Sequence, residues 1–264
     1  MSHFLMCPPD YFGIEYEINP WMRLSNRVNP AMAAAQWKEL NSVLKDELGA
    51  RIELMEPVKG LPDLVFTANA GFVEGQTFIS SSFKFKERQG ETPYFDTWFQ
   101  SHGFQIARLG PQCIFEGAGD ALRLGENIIA GYRHRSEICS HKALGGITGR
   151  RVISLELTDP FFYHLDTCFC PLDESTALYF PHAFDNYAVT ALKEIVERLQ
   201  PVSDVSARQF ACNAVVIDGT VVTNAGCADL EEPLATLGYR MRPVELSEFI
   251  KSGGSARCLT LRLD

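Results

Sequence analysis

Seven side chains with chemical potential stand out in this chain: Cys258, His164, Glu116, Asp120, Asp166, Asn69 and Asn213. Five of them, Asn69, Asp120, Asp166, Asn213 and Cys258, are separated by 51, 46, 47 and 45 residues. Regular spacing of that size is the mark of a repeated structural unit, each unit offering one polar residue at a like place. A thiol, an imidazole and several carboxylates suit nucleophilic attack on a planar cation. A guanidinium is always protonated and presents five N–H donors in a fixed fork, which carboxylates grip by charge-assisted hydrogen bonds. Resonance makes its central carbon a poor electrophile, so attack needs a thiolate and a proton donor at the departing nitrogen.

Cys258 follows SGGSAR, a run of small residues through which a backbone can approach a ligand closely. A neighbouring cation would favour its thiolate; the other seven cysteines read as small buried hydrophobes. His164 lies in FYHLDT two residues before Asp166. On a strand those two side chains share a face, with His164 as general acid and base and Asp166 as guanidinium ligand. Glu116 and Asp120 sit in FEGAGDAL, where the glycines permit a tight backbone that turns both carboxylates inward. His164, Cys168 and Cys170 lack a fourth ligand nearby, so no metal is expected, and the chemistry calls for no organic cofactor.

Repeated elements must position these groups. Four segments starting at Phe66, Phe115, Phe162 and Phe210 each read as a β-hairpin, with turns EGQT, LGEN, LDEST and IDGT. A helix-length stretch and a further short strand follow each one. In AFDNYAVTALKEIVERL the apolar residues Val189, Leu192, Ile195, Val196 and Leu199 predict one helix. PAMAAAQWKELNSVLKDELGA and RIELMEP repeat helix and strand near the start. The fifth hairpin has only CLTLRLD before the chain stops, and HFLMCPP at the other end can supply its second strand. The expected fold is therefore α/β, a five-bladed α/β-propeller of ββαβ units with pseudo-fivefold symmetry. Its ring is closed by the two termini, and residues 1–264 make a single catalytic domain. Such a ring gathers the polar residues at a common axis.

A net charge of −9 argues against nucleic acid or an anionic membrane as partner and is compatible with a cationic small-molecule substrate. No run of 18 apolar residues exists, and MSHFLMCPPDYF carries no basic n-region. Eight cysteines without a CxxC pair fit reduced thiols, so a cytoplasmic location is expected. Homo-oligomerisation is compatible with the sequence, which does not specify it.

The motifs FYHLDT, FEGAGD and SGGSARCLTL, with INPWM, PDLVFTANAG, ERQGE and FACN, resemble the guanidine-modifying (pentein, or amidinotransferase) superfamily over essentially the whole chain. Within it the chain is most similar to the arginine dihydrolase domain of bifunctional arginine dihydrolase/ornithine cyclodeaminase proteins. That resemblance implies Cys258 as nucleophile, His164 as general acid and base and Asp166 as guanidinium ligand; Glu116, read from FEGAGDAL itself, joins them as a further catalytic carboxylate. It adds Asn19, Asn69, Arg88 and Arg135 as substrate contacts, the two arginines toward the α-carboxylate, and a backbone contact at Ser252, beside Asp120, which the residues of FEGAGDAL offer as a further substrate ligand. Taken alone, Arg88 and Arg135 read as exposed surface charges. The implied reaction converts L-arginine to L-ornithine, two ammonia and carbon dioxide. Alternatives are a deiminase giving citrulline, a dimethylarginine dimethylaminohydrolase, an amidinotransferase and a non-catalytic binding ring. Two departures from the family pattern matter: deiminases carry aspartate where this chain has Asn69, and related enzymes often have one residue fewer between the acids of EGAGD.

Overall fold

Tight turns decide where this chain folds back on itself. Gly75 and Gly125 take φ of 57° and 55°, and Asp218 and Gly219 take 45° and 74°, the left-handed backbone that two-residue hairpin loops demand. The computed structural model describes residues 1–110 and 113–264.

In chain order the strands begin with β1 (His3–Met6) and β2 (Arg51–Leu54). Next come β3 (Gly71–Glu74), β4 (Thr77–Ser80) and β5 (Gln105–Ala107). They are followed by β6 (Ala121–Leu124), β7 (Asn127–Tyr132) and β8 (Arg151–Glu156). Then come β9 (Phe169–Pro171), β10 (Thr176–Tyr179) and β11 (Arg198–Pro201). The last are β12 (Val215–Ile217), β13 (Thr220–Asn224), β14 (Arg240–Val244) and β15 (Leu261–Arg262). Among the described residues they form five three-stranded sheets. In each sheet two strands pair antiparallel and a third joins in parallel, as β3–β4–β5 shows. A parallel partner needs a crossover connection, and a helix supplies it every time.

Two compact units divide the chain. The first comprises Met1–Thr67 with Val202–Asp264, and the second Ala68–Pro201. In the first, β15 pairs antiparallel with β1, Phe4 opposite Arg262 and Leu5 opposite Leu261, and β1 pairs parallel with β2. The two ends of the chain thus complete one sheet, as expected from the missing fifth strand. The connecting helix Pro30–Ser42 starts with proline at its first position, and Asn29 Oδ1 accepts Ala31 N and Met32 N. Its buried face joins a core of Phe4, Leu40, Val222 and Leu259. Phe12 stacks on Phe249 at 4.8 Å and meets Phe66 edge-on at 5.6 Å. Burying each such ring contributes about 2–3 kcal/mol.

The second unit holds the sheets β3 to β11 with helices Thr92–Ser101, Ile138–Thr148 and Asn186–Ile195 between their paired strands. Phe78 and Phe99 stack at 3.6 Å where the first of these helices covers its sheet. The third helix is shorter than its apolar spacing predicts. It ends at Ile195, Val196 is extended at φ −108° and ψ 116°, and Leu199 lies on β11 opposite Ala177. A spacing of three or four residues cannot tell a helix end from the strand after it, and the β-branched Val196 favours extended backbone.

All eight cysteines are free. Cys7, Cys168, Cys170, Cys212 and Cys227 are buried as expected, whereas Cys139 is exposed and Cys113 partly so. Among the described residues no helix is long and apolar enough to cross a membrane.

Candidate active site

In the second unit the polar residues sit on short 3₁₀ turns just ahead of the first strand of a sheet. Gly117–Gly119 is one such turn, and Gly117 has φ of 62°. A Cβ there would lie 2.7 Å from Gly71 N and O, so only glycine lets the chain pass and bring Glu116 and Asp120 inward.

Glu116 is fully buried and its carboxylate is crowded with donors. Oε2 accepts from His164 Nε2 and from Arg135 Nη1, both at 2.8 Å, and Oε1 accepts Lys84 N at 3.1 Å. Its own N–H donates to Ser136 Oγ at 2.9 Å. Burial pushes the carboxyl pKa up, but the Arg135 charge, the His164 hydrogen bond and charge, and the Arg88 charge outweigh it. The net result lies well below the ordinary value. Arg135 also lies over the rings of Phe85 and Tyr163, at 4.8 and 4.6 Å.

The pairing with Glu116 assigns the His164 tautomer. An ionised carboxylate only accepts, so Nε2 carries hydrogen. Nδ1 is buried and has no hydrogen-bond partner among the described residues, which makes it the ring position at which a proton can be given or taken. Asp120 Oδ1 accepts Leu165 N at 3.0 Å and Oδ2 accepts Ser136 N at 3.1 Å. Burial pushes its pKa up to about 6, against the pull of the His164 charge and these hydrogen bonds. Asp166 is fully buried, but the strand geometry expected for it does not apply. It lies in the 3₁₀ turn Leu165–Thr167, with His164 as the extended residue before it, so alternation along a strand does not relate the two.

Asn69 Oδ1 accepts Arg88 Nη1 at 2.8 Å, while Nδ2 donates to the Glu116 carbonyl at 3.4 Å. Arg88 makes a two-pronged pair with Glu91, Nε to Oε1 at 2.7 Å and Nη2 to Oε2 at 2.8 Å. The reading of Arg88 and Arg135 as exposed surface charges is therefore corrected: each is 3% exposed and faces a buried carboxylate. Glu91 and Ser136 were missed. Glu91 follows Arg88 at the i,i+3 spacing that pairs charges on a helical turn, a usable signal; Ser136 offers none.

Gly119 supports this group sterically. A Cβ there would lie 2.3 Å from Asn69 Nδ2 and 3.4 Å from His164 Cγ and Nδ1. We expect Gly119→Ala to lower stability by about 2–3 kcal/mol and to impair turnover, because Asn69 is held by Arg88 and cannot yield. Gly146→Ala, with nothing within 4 Å of the new methyl on its helix, is the control and should be neutral or mildly stabilising. Thermal midpoints and turnover of the two variants check this; equal midpoints would refute it.

In the first unit, Cys258 is 2% exposed. Asn213 Nδ2 lies 3.1 Å from its Sγ. Gly254 lets the loop ahead of it lie against Phe66, whose Cε1 would be 2.5 Å from a Cβ there. Asn19 and Ser252 are brought together, Asn19 Nδ2 donating to the Ser252 carbonyl at 3.0 Å while Oδ1 accepts Trp21 N and Met22 N.

No protein-family model matches the chain. Individual proteins do. It is 46% identical to the bifunctional arginine dihydrolase/ornithine cyclodeaminase ArgZ of Synechocystis sp., over 98% of this chain and 37% of that protein. It is 37% identical to the N(G),N(G)-dimethylarginine dimethylaminohydrolase of Mycobacterium tuberculosis, over 98% of this chain and 85% of that one. The crystallised N-terminal domain of ArgZ superposes with a TM-score of 0.96 at 44% identity, covering 100% of this chain and 98% of that domain. The chain thus spans little more than a third of the length of the bifunctional protein.

Fold and likeness together define a pentein, the five-unit α/β propeller. More narrowly, the chain belongs to the pentein family that contains the arginine dihydrolase domain of ArgZ and the dimethylarginine dimethylaminohydrolases.

Proposed function

We propose that residues 1–264 act as one catalytic domain that hydrolyses L-arginine to L-ornithine, two ammonia and carbon dioxide. The Cys258 thiolate attacks the guanidinium carbon. His164 gives a proton from Nδ1 to the departing nitrogen, ammonia leaves, and a thiouronium remains on sulfur. Water, deprotonated by the same nitrogen, then displaces the thiolate and leaves a ureido group. A second round expels the remaining ammonia, and water releases a carbamate that loses carbon dioxide to give ornithine. Asp166 grips the guanidinium, and Glu116 holds His164 in the working tautomer. Asn19, Asn69, Arg88, Asp120, Arg135 and Ser252 serve as substrate contacts, the arginines toward the α-carboxylate. The amide of Asn69 replaces an anionic clamp, which suits a neutral ureido intermediate as well as the cation.

One observation carries this reading: the buried Glu116 fastened to His164 Nε2, which leaves Nδ1 as the position for proton transfer. Relatives support it. The N-terminal domain of ArgZ, described as an arginine dihydrolase, has been crystallised with substrate in a cysteine-to-serine mutant and with product. An asparagine-to-serine mutant of the same domain is covalently bound to a reaction intermediate. Eight free cysteines, six of them buried, support a reducing compartment, the cytoplasm.

The Mycobacterium tuberculosis relative favours a second reading, hydrolysis of dimethylarginine. Both are tested by incubating the chain with arginine or dimethylarginine and measuring ornithine, citrulline and ammonia. Two ammonia per ornithine from arginine is expected, and citrulline as end product overturns the dihydrolase reading. In the same assay Asn69→Asp should shift product toward citrulline; unchanged ornithine output removes the role given to the amide.

A further inference from the structure

We propose that Asn213 is a positioning residue for the nucleophile: it locks the turn Ser255–Cys258 and aims an amide N–H at Cys258 Sγ, favouring the thiolate. This rests on the reading of Cys258 as nucleophile.

The orientation of the amide follows from its partners. Oδ1 accepts two backbone N–H groups, Ser255 N and Cys258 N, each at 3.1 Å. Turning the amide over would set its NH₂ against both donors, so the oxygen must occupy that side. Nδ2 is then the atom 3.1 Å from Cys258 Sγ, and it can only donate. A thiolate is a far better acceptor than a thiol, so a fixed donor at that distance stabilises the ionised form over the neutral one. The Asn213 carbonyl accepts Arg257 N at 3.2 Å as well. One residue thus makes four hydrogen bonds to a four-residue turn.

Asn213 is itself held firmly. It is fully buried, and its N–H donates to the Phe210 carbonyl at 2.9 Å. Phe210 has φ of 62°, a left-handed conformation strained for a bulky residue and kept only where the surroundings enforce it. Trp21 packs on its ring at 4.9 Å, and Thr223 Oγ1 donates to the Ala211 carbonyl at 3.2 Å. Strain retained this close to a reactive thiol fits a site built for placement.

Asn213→Asp is the discriminating variant. It keeps the shape and the oxygen that receives the two backbone donors, but presents a carboxylate oxygen to sulfur, which accepts S–H and repels a thiolate. Iodoacetamide is added near neutral pH and Cys258 alkylation is followed by peptide mass spectrometry. We expect alkylation at least about tenfold slower than in the parent, measured at a temperature where the variant is folded. With arginine as substrate, kcat should fall by a like factor while KM stays within about threefold. A turn that was merely loosened would expose the thiol and alkylate faster. Should Asn213→Asp not fold, Asn213→Ala is compared with the parent by ultraviolet thiolate absorbance, each against its Cys258→Ser counterpart, and a lower signal is expected. Alkylation at the parent rate or faster in folded Asn213→Asp, or undiminished absorbance in Asn213→Ala, overturns the proposal. Alkylation needs no substrate, so a parent that fails to hydrolyse arginine defeats the functional reading while the role of Asn213 is still decided.

Discussion

Cys258→Ser should abolish measurable arginine hydrolysis, a fall of at least about 10³-fold in kcat, while the protein stays folded and still binds arginine. The alcohol is nearly isosteric with the thiol, so the backbone bond from Cys258 N to Asn213 Oδ1 is kept and its hydroxyl oxygen can accept from Asn213 Nδ2. Stability should change by less than about 1 kcal/mol. Reactivity changes because an alcohol does not ionise near neutral pH and is a far weaker nucleophile than a thiolate. Single-turnover assays and calorimetric binding separate the two effects. Residual turnover within about tenfold of the parent would mean that Cys258 is not the attacking atom.

Glu116→Gln should damage both activity and stability. The carboxylate takes hydrogen bonds from His164, Arg135 and Lys84 N, and an amide cannot accept at both ends. Removing one partner of a buried ion pair typically costs about 3–5 kcal/mol, because the cation opposite stays out of water. Loss of the fixed tautomer at His164 should lower kcat by a further factor of about 10²–10⁴. The pH dependence has a definite sign. The folded pKa of Glu116 lies below its ordinary value of 4.5, so its contribution is fully present above that pH and is lost as pH falls below it. The stability gap between parent and variant should therefore be widest near neutrality and narrow on acidification below 4.5. Denaturant midpoints across that range measure it; a constant gap would show that the charge of Glu116 is not what stabilises the fold. Asp120, raised to about 6 chiefly by burial, works in the opposite sense, losing its contribution as pH rises; the Glu116 charge is among the causes that raise it, so this opposing part is smaller in the variant.

Much of the architecture was legible because it is written locally and repeatedly. Asp218-Gly219 declares a hairpin by its own backbone preference, and a near-constant spacing of polar residues declares a recurring unit. Pairing of β15 with β1 followed from the one hairpin left short of a strand. What stayed hidden is equally physical. The 3₁₀ turn that carries Asp166 has no hydrophobic period, so strand alternation was extended to it wrongly, whereas the glycines of the Glu116–Asp120 segment did announce a tight backbone. The end of the helix at Ile195 was hidden because Val196 and Leu199 satisfy helical spacing and a strand alike. Burial of Arg135 depends on a carboxylate, Glu116, brought up by another segment, and no property of that arginine in isolation announces it; for Arg88 the i,i+3 partner Glu91 was the one local clue.

Those buried pairs have a consequence for how the protein meets its surroundings. Mobile ions act on charges they can approach, and they damp exposed pairs such as Arg198–Asp173 within roughly 8 Å at physiological ionic strength. Arg88–Glu91 and Arg135–Glu116 lie out of their reach. The internal electrostatics should accordingly persist in brine much as in dilute buffer. Whatever sensitivity to ionic strength the protein displays then belongs to its exposed pairs and to the arrival of a charged solute at its surface.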